Sequence, residues 1–243
     1  MQQPPRYSVM PANGELGRSG AMRLSGYQHL VCAAAECDMS THDMSVSQTL
    51  KRGYAWAIVS LTVDVIRPVT TCTPLETSTW ISGNRPPLNR RELLFSDSRG
   101  ERFRSAVFST PISMDTHKLM RLPEEECGTV TGDILIEDAV SRISSLPPME
   151  EVYRREVYPS DIDALGHMNN CRYGALAYDA LTEEERILLC SPFRYTVIFR
   201  RQLMEGSTVI VSRGQDERGL FITGTAQGSD KASFIVRLEF KSK

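Results

Sequence analysis

No run of about 18 apolar residues occurs in this 243-residue chain, so nothing in the sequence reads as a membrane-spanning helix. Charge of one sign is missing too: 28 Lys and Arg stand against 30 Asp and Glu, a formal net charge of -2. That balance argues against nucleic-acid binding through bulk charge and leaves only local basic clusters. The polar stretch 1–6 lacks the apolar core of a signal peptide. The six cysteines, Cys32, Cys37, Cys72, Cys127, Cys171 and Cys190, include no CxxC pair. His29, Cys32, Cys37 and His42 read H-x2-C-x4-C-x4-H, but two of them fall inside an expected helix and nothing nearby has the form of a small zinc module. The expectation is a reduced, cytoplasmic protein with scattered thiols and no metal or organic cofactor.

What is present is ordinary for a globular domain: 41% hydrophobic and 24% charged residues, enough to build a substantial core. The pattern of the chain is written twice, each time as a short strand, a loop, a helix and four strands. In the first copy the strand spans 6–10. The helix spans 22–35, with Leu24, Tyr27, Leu30, Val31 and Ala34 on one face. Strands follow at 54–66, 73–81, 88–96 and 102–114. In the second copy the strand spans 151–158, the helix 170–181, and the strands 193–203, 207–213, 220–226 and 232–241. Polar, glycine-bearing turns separate the strands, as in an antiparallel meander. At an offset of 148, Glu15 falls opposite Asp163, Ser19 opposite His167 and Gly26 opposite Gly174. The expected division is 1–122 and 151–243, joined by an acidic linker 123–150 with a short helix near 138–143.

The chemistry lies between strand and helix of the second copy, where Asp161 to Tyr173 reads DIDALGHMNNCRY. Asn169 or Asn170 is a good helix N-cap, and the free N–H groups of a first helical turn favour negative charge. A thioester carbonyl under attack becomes an oxyanion. Backbone N–H groups around Gly166, His167 and Met168 are therefore candidate donors, with Asn169 as a secondary substrate contact. Glycine at 166 lets the backbone approach a substrate closely. Asp163 suits a general base on water or a direct nucleophile, and His167 suits a group that orients or shares the proton. The bland alternative is that Asp163 and His167 only stabilise the loop. Cys171, at a helix start where a thiol pKa can fall, is read as a buried inert thiol.

This segment resembles the hot-dog thioesterase superfamily, whose members often read D-x-x-G-H-V-N-N-x-x-Y, with Met168 here in place of Val. Tyr54-Ala55-Trp56, Pro68, Glu76 to Trp80, Asn89 to Glu92 and the Asp97 to Gly100 turn extend the resemblance to acyl-acyl carrier protein thioesterases of plants and bacteria. The resemblance implies an α+β fold of two tandem hot-dog units, each an antiparallel sheet wrapped around a central helix. It implies hydrolysis of fatty acyl-acyl carrier protein in fatty acid biosynthesis, with the site in the second copy and the acyl cavity shaped by the first. Leu165 stands where the plant-like enzymes have Asn, and Leu203 where they have Cys. Gln202 stands where they have a catalytic Glu. It can position water but cannot act as a base, which leaves that role to Asp163. Alternatives are an acyl-coenzyme A thioesterase and a noncatalytic acyl-binding protein. No His with a dehydratase-like acidic partner is found. Arg90, Arg91, Arg194, Arg200 and Arg201 are candidates for docking an acidic carrier protein, or else solvated strand ends. A homodimer through edge strands is left open.

Overall fold

A computed structural model describes residues 4–123, 126 and 128–241. Residues 1–3 and Cys127, which entered the sequence reading, lie outside the described residues. The first copy runs β1 (Arg6–Val9), a 3-10 turn (Asn13–Glu15), α1 (Leu24–Thr41), α2 (Val46–Lys51), β2 (Tyr54–Val65), β3 (Leu75–Arg85), β4 (Leu88–Asp97) and β5 (Gly100–Ser113). The second runs β6 (Glu150–Glu156), a 3-10 turn (Pro159–Asp161), α3 (Asn170–Asp179), α4 (Glu183–Leu188), β7 (Phe193–Phe199), β8 (Thr208–Asp216), β9 (Gly219–Ala226) and β10 (Phe234–Phe240).

All ten strands form one antiparallel sheet in the order β1-β3-β4-β5-β2-β7-β10-β9-β8-β6. Five strands from each copy meet at the β2–β7 seam, from Ser60 opposite Ile198 to Val65 opposite Phe193. The Thr62 and Thr196 hydroxyls meet there at 3.1 Å, both buried. The two expected sheets are thus one continuous sheet.

The β-branched and aromatic residues of these strands alternate, so one face is apolar and must be covered. Helices α1 and α3 cover it. Tyr27 and Leu30 of α1 and Tyr173 and Leu176 of α3 join Val63, Phe95, Phe103, Tyr195, Val197 and Phe234 in a single core. Each such side chain, taken fully out of water, contributes about 1.5–3 kcal/mol. The helices approach closely at Gly174, where an added Cβ would lie 1.8 Å from Gln28 Oε1 and 2.9 Å from the Ser25 nitrogen.

The opposite face is crossed by the linker, which has a turn, with the Ala139 N–H donating to Ile136 O (3.1 Å), and irregular chain where a short helix was expected. Its carbonyls are taken by side chains of the sheet: Arg90 Nη2 donates to Ile136 O (2.5 Å), Ser60 Oγ to Val140 O (2.9 Å) and Arg200 Nη2 to Ile143 O (2.6 Å). Ile143 is buried there with Ile198, Phe221 and Ile235. Two further differences matter. Helix α1 continues past 35, and the expected connection 36–52 holds its last turns and α2. Strand β7 stops at Phe199 because the N–H groups of Arg200 and Arg201 both donate to Ser233 O (2.8 and 3.1 Å), which breaks the ladder before Gln202.

Candidate active site

The stretch between β6 and α3 is a tight, backbone-tied loop. Ile162 and Met168 bridge its two sides. The Asp163 N–H donates to His167 O (3.0 Å) and the Gly166 N–H to Asp163 O (3.0 Å). Gly166 has φ +81°, a value that a side chain would strain. The Met168 N–H donates to Leu203 O (2.8 Å), and the Asn169 N–H to Asp161 O (2.8 Å). Asn169 is the N-cap of α3, its Oδ1 accepting the Cys171 N–H at 2.9 Å.

Asp161, which sequence reasoning passed over, anchors this loop. Its buried carboxylate pairs with Arg155, lies 3.5 Å from Arg172 Nε and accepts the Tyr158 N–H at 3.0 Å. A second Asp two residues before Asp163 was the available signal. Asp163 itself is half-buried. Its Oδ1 accepts the Leu165 N–H (2.9 Å) and its Oδ2 lies 3.5 Å from Asn169 Nδ2. No hydrogen bond joins the Asp163 and His167 side chains. His167 Nδ1 lies instead 3.3 Å from Met168 O.

Three expectations change. The N–H groups of Gly166, Met168 and Asn169 are spent within the loop, so they cannot receive an oxyanion. Among the described residues of this loop, the N–H groups of Ala164, His167 and Asn170 have no protein acceptor, which leaves them as open donors. Gln202 lies beyond β7 with its side chain exposed, whereas Leu203 is buried under Met168. Four of the five arginines have partners within the chain. Arg90 pairs with Glu92, Arg91 with Asp38 and Arg194 with Asp64 and Asp138, while Arg200 binds the linker; Arg201 alone of the five is exposed with no such bond.

Neighbouring groups shift in ways that burial explains. Burial, with Asp163 adding to it, pushes the Tyr173 hydroxyl up to about 12 against the opposing pull of the Leu203 backbone. The adjoining Cys32 thiol, and then burial, push Cys171 well above the ordinary thiol range, the reverse of what its helix start would do alone.

A cavity of about 1470 Å³ opens at this loop, above the range of about 300–1,000 Å³ common for small-molecule sites. Asp163, Leu165 and Asn170 line one end of it. The rest lies in the first copy and the start of the linker, along α1 and strands β2 to β5, with Ala35, Met39, Ile58 and Thr131 among its walls. Gln202 and His167 are not part of the lining.

The first copy carries the same backbone device at an offset of 146, two residues from the alignment drawn on sequence. Asn13–Glu15 matches Pro159–Asp161, and Gly20, at φ +84°, matches Gly166. Gly17 N–H donates to Ala21 O (2.8 Å), Gly20 N–H to Gly17 O (2.9 Å), Met22 N–H to Val69 O (2.9 Å) and Arg23 N–H to Glu15 O (2.9 Å). These repeat, in order, the bonds of Asp163, Gly166, Met168 and Asn169. The residues opposite Asp163 and His167 are therefore Gly17 and Ala21, not Glu15 and Ser19. Asp163 and His167 stand on only one of two matching scaffolds.

No protein-family model and no curated protein matches the sequence. Solved structures do. An acyl-ACP thioesterase from Bacteroides thetaiotaomicron VPI-5482 superposes with TM-score 0.83 at 16% identity, covering 98% of this chain and 97% of that one. A 12:0-ACP thioesterase from Umbellularia californica gives TM-score 0.80 at 17% identity, covering 98% and 97%. The fold is theirs: two hot-dog units in tandem. This likeness runs through both copies and the linker, and it accounts for the single ten-stranded sheet as two five-stranded units joined edge to edge.

Proposed function

We propose that the protein hydrolyses fatty acyl thioesters of acyl carrier protein, releasing a free fatty acid and the carrier thiol. The observation that carries this is Asp163, a carboxylate that lines a large cavity together with Asn170, whose N–H is open, on a scaffold whose other copy has Gly17 instead. Asp163 takes a proton from water as its oxygen bonds to the thioester carbon. The Asn170 N–H, joined by that of His167 from the adjoining loop, holds the developing oxyanion. The C–S bond then breaks, and the proton passes from Asp163 to the departing sulfur. The acyl chain lies in the first-copy cavity. Asn169 and Gly166 act by shaping the loop. His167 contributes its N–H, and Met168 ties the loop to Leu203.

Support for the carrier protein as donor comes from the two proteins that share the fold, each described as an acyl-ACP thioesterase. The proposal extends to a cytoplasmic protein divided at 1–122, 123–150 and 151–243, acting in fatty acid biosynthesis; no described helix is long and apolar enough to cross a membrane. A homodimer would use a surface other than the β2–β7 seam, which is already filled. The test is a panel of carrier-protein and coenzyme A thioesters of graded chain length. Turnover of carrier esters above coenzyme A esters supports the proposal; the reverse order moves the donor to coenzyme A. Acyl binding with no turnover of any ester would make it a binding protein.

A further inference from the structure

The cavity is not lined as a plain hydrocarbon would require. Along the inward face of β4, Phe95 and Leu93 sit in the core, but the next inward positions, Arg91 and Asn89, are polar and line the cavity. Across from them α1 changes in the same way, from Leu30, Val31 and Ala34 to Asp38. Arg91 and Asp38 form an ion pair in the cavity wall, their side chains only 14% and 7% exposed. Tyr7 Oη donates to Asp38 Oδ1 (3.0 Å), and Arg91 Nη1 donates also to Thr79 Oγ1 (3.0 Å). Both hydrogen bonds that Arg91 makes among the described residues use Nη1, which leaves Nε–H and Nη2–H for the cavity.

An alkyl tail laid against these groups would strip their water and return no hydrogen bond, which is unfavourable. A hydroxyl on the tail removes the mismatch, since it accepts from Arg91 and can donate to a free lone pair of Asp38 or Thr79. A carboxylate would suit Arg91 but would meet Asp38. The position along the chain also follows. Cys32 of α1 lies against Cys171, next to Asn170 at the mouth. Asp38 is six residues further along the same helix, about 9 Å at 1.5 Å per residue. The polar group is therefore well down the chain, away from the thioester.

We propose that the preferred substrate is an acyl thioester hydroxylated in the middle of its chain, with Arg91, Asp38 and Thr79 as the residues that select it. This rests on the thioesterase reading above and names its substrate class.

The experiment compares thioesters of one chain length, unsubstituted or hydroxylated at successive positions, on the wild type and on the double variant Arg91→Met/Asp38→Asn. The double variant removes both charges together, so no buried charge is left unpaired. Thr79→Val serves as the milder second variant. In parallel, binding of the free hydroxylated and unsubstituted fatty acids is measured by calorimetry. The expected result is a preference of about tenfold in kcat/KM, and in affinity, for one mid-chain hydroxyl, as one well-placed hydrogen bond supplies. It narrows to under about twofold in the double variant and falls by part of that amount in Thr79→Val. Equal handling of plain and hydroxylated chains by the wild type, or a preference that survives in both variants, overturns the proposal. If no thioester is turned over, the thioesterase reading fails, and the two free acids decide the hydroxyl site alone.

Discussion

Asp163 occupies the backbone position that Gly17 holds in the first half of the chain: each donates its N–H across a tight turn, to His167 O at 3.0 Å and to Ala21 O at 2.8 Å. The loop is thus a structural device in its own right. Its turn, its bridge and its tie to the chain beyond the following strand recur where Gly17 and Ala21 stand opposite Asp163 and His167. Only the side chains that the scaffold displays differ between the copies.

This pairing gives an internal control. Gly166 and Gly20 have φ +81° and +84°, and an added Cβ at either would meet nothing within 4 Å, so backbone strain alone is at stake. Gly166→Ala and Gly20→Ala should each lose about 1–2 kcal/mol of stability, read by denaturant unfolding. Only Gly166→Ala should also lower kcat/KM. A matching loss of activity in Gly20→Ala would break the assignment of the site to the second copy.

Asp161 should behave as a positioning residue. Asp161→Asn keeps the shape but loses the pairs with Arg155 and Arg172, both partly exposed, and should cost about 2 kcal/mol. Because the carboxylate ties the loop down, kcat should fall while KM moves little, and Asp161→Glu should not rescue it. Unchanged kcat with the same loss of stability would reduce Asp161 to a fold element.

Asp97 sets an acid limit. Burial works to raise its pKa, but the Arg99 N–H and the Arg67 and Arg102 guanidiniums outweigh it and hold the carboxyl well below the usual range. A lowered folded pKa gives stability that is complete above the unfolded value of about 3.9 and is lost as the pH falls through the folded value. Thermal midpoints should therefore hold steady near neutrality and drop only in acid. Asp97→Asn should have a lower midpoint at pH 7 and a shallower drop. An unchanged acid limb in that variant would assign the acid sensitivity to other carboxylates.

The legible parts were those with local causes. The Asp163 to Asn170 motif, the two central helices and the duplicated strand order followed from spacing and turn residues. The misplaced parts have tertiary causes. Nothing local says that Ser233 O takes two N–H groups and ends β7 before Gln202, or that Arg90, Ser60 and Arg200 claim the linker carbonyls and keep 138–143 from forming a helix. The offset of 148 set Glu15 opposite Asp163 and Gly26 opposite Gly174, whereas the 3-10 turns and the positive-φ glycines set it at 146. The arginines looked free because their acidic partners, Asp38, Asp64 and Asp138, are distant in sequence or on another element.

The most direct test of the central claim is steady-state hydrolysis of an acyl-acyl carrier protein by wild type and Asp163→Asn, with fatty-acid affinity and unfolding measured on the same samples. Asparagine keeps the Leu165 N–H bond but cannot take a proton from water. The account predicts a fall in kcat of at least about a hundredfold, with affinity and stability nearly unchanged. Turnover that survives in Asp163→Asn at the wild-type rate would contradict it.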